Sequence, residues 1–97
     1  MDDKNTLILR NEQGEELGAP LKIWKNQTIT IIAETHLTDC TVESTNEGVR
    51  AELLSSMLGE GNINYLQIKL TGLEICENVS IKIRGTYTST EFVDVTG

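Results

Sequence analysis

The chain has 97 residues, of which 38% are hydrophobic and 24% charged, and its formal net charge is −7. That length makes one small domain, residues 1–97, with a modest core and no room for separate catalytic and binding domains. The acidic balance opposes a phosphate backbone and so argues against nucleic acid as a partner. The longest apolar runs, such as the one around Ile31 and Ile32, are far too short to cross a bilayer, which argues against a membrane role.

Thr, Ile and Val together supply about 27 residues, a bias toward side chains that fit a pleated, half-buried surface. The predicted elements are accordingly short strands. "MDDKNTLILRNE" is acidic, lacks the apolar core of a secretion signal and carries a first strand over 6–10. This implies a chain that works where it is made, or a piece of a longer secreted protein. "NEQGEELGAP" (11–20) is turn-rich, with Asn11 and Gly14 suited to turn conformations and Gly18 and Pro20 as punctuation. "LKIW" (21–24) sets Leu21 and Ile23 against Lys22 and Trp24. "QTITIIAE" (27–34) sets Ile29, Ile31 and Ala33 against Thr28, Thr30 and Ile32. "DCTVES" (39–44) puts Cys40 and Val42 on one face, "NEG" (46–48) is a turn, and "VRAEL" (49–53) alternates again.

The segment from 50 to 61 reads differently. Ala51, Leu54 and Leu58, with Leu53 and Met57, fall at helical spacings, and Gly59 is a natural helix stop. A short helix over 51–58, a loop crossing one end, or a continued strand all fit. Alternation returns in "INYLQIKLT" (63–71), "VSIKIRGTYT" (79–88) and "FVDVT" (92–96). Seven or eight runs of period two, each with one face buried and one wet, predict an all-β antiparallel Greek-key sandwich.

Within "IKLTGLEICENVSIKIRG", Leu70, Gly72 and Leu73 lead an alternating strand into a tight turn, and Val79, Ile81 and Ile83 start the next. This stretch resembles the segment joining strands E and F of fibronectin type III domains. It departs from that family at Ile75, Cys76 and Val79, which stand where Pro, Gly and a corner Tyr are preferred. "LRNEQGEELGAPLKI" and "IKIRGTYTSTEFVDV" look like the opening and closing strands of prealbumin-like, carboxypeptidase-regulatory-type domains. Both resemblances imply an immunoglobulin-like sandwich, a scaffold whose role lies in its faces and loops and which implies no active site.

The chemistry-bearing residues support no enzyme. His36, Asp39 and Cys40 would share a strand, but two or three such groups with a single His do not hold zinc. Four residues along a strand is about 13 Å, too far for a Cys–His nucleophile pair. The acidic residues Asp2, Asp3, Glu12, Glu15 and Glu16 lack calcium-loop spacing and read as a solvated rim. "NQT" (26–28) and "NVS" (78–80) match a three-residue glycosylation signal that arises often by chance. No cofactor or metal is implied.

The interaction candidates are Trp24, Lys82 and Arg84. Alternation places Trp24 outward beside Lys22 and Lys25, as a contact residue or as a cap on one end of the core. Ser80, Lys82, Arg84, Thr86 and Thr88 form an outward stripe, either solvated or set against an acidic patch, with Glu43 as the expected cross-strand neighbour. Cys40 and Cys76, 36 residues apart, read as free thiols that a disulfide joins only if the fold brings them close. The expected function is a non-catalytic module contacting other protein copies, such as a bacteriophage capsid decoration or tail protein made in the host cytoplasm. The alternative is a domain of a bacterial surface or polysaccharide-handling protein, adhesive or glycan-binding through Trp24 or a loop.

Overall fold

A computed structural model describes residues 7–18 and 20–97. Eight strands follow in chain order: β1 (Leu7–Arg10), β2 (Leu21–Trp24), β3 (Thr28–Thr35), β4 (Thr41–Ser44), β5 (Val49–Leu58), β6 (Asn64–Gly72), β7 (Cys76–Arg84) and β8 (Thr88–Thr96). They form two four-stranded sheets, β1-β3-β6-β5 and β2-β8-β7-β4, which share one core and so have the arrangement of a β-sandwich. An isolated bridge between Arg10 and Glu16 adds a ninth extended segment, one beyond the eight that the alternation predicts.

Strand β6 explains the first sheet. Its inward residues Asn64, Leu66, Ile68, Leu70 and Gly72 are all buried, while Tyr65, Gln67, Lys69 and Thr71 point outward. Strand β3 pairs along one side with Ile31 beside Ile68 and Ala33 beside Leu66, and β5 pairs along the other. From the second sheet, Leu21, Ile23, Val79, Ile81, Ile83, Val93 and Val95 close the core. Gly72 lets the sheets meet at one end: a Cβ there would stand 2.7 Å from the carbonyl oxygen of Trp24 and 3.0 Å from Val95. The amide of Asn26 donates to the Gly72 carbonyl (2.7 Å) and the Gly72 amide donates to Gln27 (2.9 Å), tying the β2–β3 turn to β6.

At the other end a polar chain holds the loop after β3. The Leu37 amide donates to Thr35 Oγ1 (3.1 Å), Asn64 Nδ2 donates to the Leu37 carbonyl (3.1 Å), and Ser56 Oγ donates to Asn64 Oδ1 (2.9 Å). The buried side chains Thr35 and Asn64 are thereby satisfied, as buried polar groups must be. Among the described residues, Ser89 Oγ is the buried side-chain polar atom without a partner. In the turn after β1, Asn11 Oδ1 accepts from the amides of Gln13 (3.0 Å) and Glu15 (2.9 Å), and Gly14 takes φ +88°, as its composition predicts.

Three expectations need correction. Residues 51–58 are not a helix but the last eight residues of β5, paired with β6 to its end. A β-bulge between Leu53 and Ser55 inserts one extra residue, so Leu53 lies opposite Ile68 while Ser55 lies opposite Gln67. That one-residue phase shift in a period-two pattern is what imitates helical spacing. The sheets are not wholly antiparallel, because β2 runs parallel to β8, with Leu21 beside Val93 and Trp24 beside Thr96. After β1 the chain turns back on it, with the Leu17 amide donating to the Leu9 carbonyl (2.7 Å), and β2 then lies in the other sheet. The run 79–88 is not one strand: it ends at Arg84, and a turn closed by Gly85 N donating to the Tyr87 carbonyl (2.8 Å) starts β8. At its other end β7 begins at Cys76, where a second irregularity before Val79 is held by the Asn78 amide donating to Asp94 Oδ1 (2.9 Å). Cys76 is therefore a strand residue. Cys40 and Cys76 are free thiols, as the sequence reading expects. Cys40 adjoins Thr41, which pairs with Arg84 at the far end of β7 from Cys76. The two are about 25 Å apart at the strand rise, against a disulfide limit near 7 Å.

Two substitutions separate packing from polarity in this core. Ile68→Ala, in the middle of β6, is expected to cost about 2–5 kcal/mol by leaving a cavity between the sheets. Ser89→Ala removes an unpartnered buried hydroxyl and is expected to be neutral or to stabilise by about 1 kcal/mol. Urea denaturation of both variants checks this; a loss of stability in Ser89→Ala as large as that in Ile68→Ala would show that the hydroxyl has a partner.

Candidate functional site

Pairing across the second sheet puts the predicted interaction residues on one outer face. Lys22 lies beside Asp94, Trp24 beside Thr96, Phe92 beside Ser80, Lys82 beside Thr90, and Glu43 beside Lys82. Trp24 is 62% exposed and Phe92 44%, so Trp24 does not cap the core; it stands on the surface at the end of β2. Arg84 Nε donates to Glu43 Oε1, so the stripe's last cation already has its acidic partner. Both side chains of that pair are about half exposed, and a pair of this kind contributes well under about 1 kcal/mol. Thr86 lies in the turn after β7, and Thr88 stands beside Arg84 on β8; neither extends the stripe along β7.

The first sheet carries a different outer face. One row across it reads Ile8, Glu34, Tyr65 and Met57, and the next reads Arg10, Ile32, Gln67 and Ser55. Arg10 donates to Glu34 in an ion pair, and this hydrogen bond raises the guanidinium pKa above its usual value. At the end of this sheet Leu54, Met57 and Leu58 are 50%, 69% and 63% exposed. Ile75, also largely exposed, and Lys25 both flank Gly97 at the end where Trp24 stands. The sequence pattern missed the β5 cluster, although one signal was present: "LLSSML" (53–58) is free of charge and apolar in both phases of a strand.

The catalytic candidates are kept apart. His36 and Cys40 lie in the connection between β3 and β4, not on one strand. His36 lines a small cleft with Ile8, Glu34, Thr35 and Ile63, whereas Cys40 lines a groove with Thr38, Asp39, Ser56, Leu58 and Asn64. Burial, reinforced by Asp39, pushes the Cys40 thiol up; burial, then Glu74 and Asp94, does the same to Cys76. Cys76 Sγ also donates to the Glu74 carbonyl (3.2 Å). These surroundings are the opposite of those that activate a thiolate. Glu12, Glu15 and Glu16 are exposed around the turn after β1, while Asp2 and Asp3 lie outside the described residues. Among the described residues, no three His, Cys, Asp or Glu side chains converge as metal ligands, and no helix is long and apolar enough to cross a membrane.

Raised thiol pKa values have a measurable sign. At pH 7.5 both cysteines are expected to react with iodoacetamide more slowly than a free thiol, and the rate should climb as pH rises past the usual thiol range. Mass-resolved alkylation over pH 7–10 checks this; faster-than-free reaction at neutral pH would show an activated thiolate.

The chain matches no protein-family model, no curated protein and no solved structure.

Proposed function

We propose that this chain is an immunoglobulin-like β-sandwich acting as a non-catalytic structural module, a bacteriophage capsid-decoration or tail component that contacts other protein copies. Taken in chain order, the sheets β1-β3-β6-β5 and β8-β7-β4 correspond to the ABED and CFG sheets of constant-type immunoglobulin domains, with β2 added beside the last strand. The fibronectin-like reading of residues 68–85 agrees with this, since β6 and β7 stand where strands E and F would and the chain changes sheets between them. The virion assignment rests on analogy at the level of fold: virion proteins often use such sandwiches, whose roles lie in faces and loops.

The observation that carries the contact role is the set of large apolar side chains held in the open on ordered strands, led by Trp24 and by the Leu54, Met57 and Leu58 cluster. Isolated exposed apolar residues are ordinary, but clustered ones mark contact surfaces. A net charge of −7 keeps the free chain soluble and disfavours nucleic acid, leaving protein as the partner class. A second reading, glycan binding at a bacterial surface, is favoured by Trp24 and Phe92 sharing one outer face with Lys22 and Asp94.

Density-gradient fractionation of particles from cells that produce the chain tests the first reading. The chain is expected to travel with assembled particles at a fixed stoichiometry. Its recovery wholly outside them, with Trp24 fluorescence shifting on polysaccharide, would favour the second reading instead.

A further inference from the structure

The four edge strands of the two sheets are unequal. β1, β2 and β4 have four residues each, whereas β5 has ten. One side of β5 pairs with β6; among the described residues no strand is hydrogen-bonded to the other side, where β4 of the opposite sheet approaches its first half. Natural edges are normally blunted by charge, proline or brevity. Beyond Glu52, the stretch "LLSSML" has neither charge nor proline, and only the bulge at Leu54 interrupts it. β4 reaches no further than Thr41–Ser44, so the end of β5 overhangs the second sheet. The overhang opens the groove in which Leu58 and Ser56 meet Thr38, Asp39 and Cys40.

The exposed side chains are distributed so that one kind of partner fits. Met57 lies opposite Tyr65 on the outer face, while Leu58 lies opposite the buried Asn64 and so points toward the inter-sheet side. A body docked flat on the sheet would reach Met57 and leave Leu58 wet. A strand laid alongside β5 reaches both, because its own side chains alternate between the same two faces. The chain's first six residues, "MDDKNT", carry one apolar side chain and three charges, a poor chemical match for this uncharged edge. A second copy can supply such a strand, since its own 53–58 stretch is uncharged and apolar in both phases, and antiparallel pairing of identical strands is self-complementary about a two-fold axis.

We propose that the Leu54–Leu58 edge of β5 pairs antiparallel with the same edge of a second copy, joining two four-stranded sheets into one of eight. Leu54, Met57 and Leu58 together expose roughly 300 Å² per copy, comparable with the largest patch of a typical monomer. Two such patches bring together about 600 Å² of side-chain surface, below the standard size for specific association before the strand backbones are added. The dimer is therefore weak and concentration-dependent, a contact suited to copies held close in an assembly. Each copy carries −7, so the association strengthens as salt screens the repulsion. This deepens the structural-module reading by naming another copy as one of its partners, and its test is separate from the particle test.

Sedimentation velocity from about 1 to about 500 µM, the range that brackets a small interface, should show monomer giving way to dimer, more readily at higher salt. The double variant Met57→Lys, Leu58→Lys should remain monomeric throughout with an unchanged far-ultraviolet spectrum, since both side chains are exposed, and Trp24→Ala should dimerise normally. At high concentration, backbone amides within Ser55–Leu58 should exchange at least about tenfold more slowly. A wild-type monomer at every concentration, a dimer lost in Trp24→Ala but kept in the double variant, or a dimer without edge protection would each overturn the proposal. A monomer that still travels with particles would overturn it and leave the structural role standing.

Discussion

Everything in this domain hangs on β6, which buries one face and pairs along both edges. Leu66, Ile68 and Leu70 are nearly inaccessible, paired laterally to β3 and β5 and covered from the opposite sheet. A small domain has little apolar area to spare, so one strand that packs on its face and pairs on both edges sets the register of its neighbours. A slip of one residue would turn Leu66, Ile68 and Leu70 to solvent and bring Gln67 and Lys69 inside. That penalty explains why the register of β3 against β6 is unbroken over eight residue pairs, while the less deeply buried β5 tolerates a bulge.

The two ends of the molecule are closed by different physics. At the Gly72 end, missing side-chain volume admits the Trp24 carbonyl, and backbone hydrogen bonds stitch the β2–β3 turn to β6. At the Asn64 end, a buried amide serves as the tie: its nitrogen donates to the Leu37 carbonyl and its oxygen accepts from Ser56. A buried amide left half-satisfied would be costly, so this chain of bonds also holds the β3–β4 connection in place beside the groove that contains Cys40.

Function then falls to the surfaces. The two outer faces carry cations already matched by carboxylates, Arg84 with Glu43 and Arg10 with Glu34. Beside these pairs stand large exposed apolar residues: Trp24 and Phe92 on one sheet, and the overhanging end of β5 on the other. The cysteines, separated by the length of β7 and with raised pKa values, act as small packing residues.

Much of the architecture was legible in the chain because alternation is a local property. Ile29, Ile31 and Ala33, then Leu66, Ile68 and Leu70, then Val79, Ile81 and Ile83 all face inward as period two requires. The Asn11–Gly14 turn and the Glu43 neighbour of Lys82 were legible for the same reason. What stayed hidden depended on contacts between distant residues. The bulge at Leu54 is defined only by its partners on β6, and alone its phase shift looks like a helix. The parallel pairing of β2 with β8 joins residues some seventy positions apart. The exposure of Leu58 arises from the shortness of a strand in the other sheet. Sequence determined which side chains could share a face, because pleating is set residue by residue. Tertiary structure alone decided which edges stayed open and which apolar residues remained in water, because covering a strand end depends on where other segments stop.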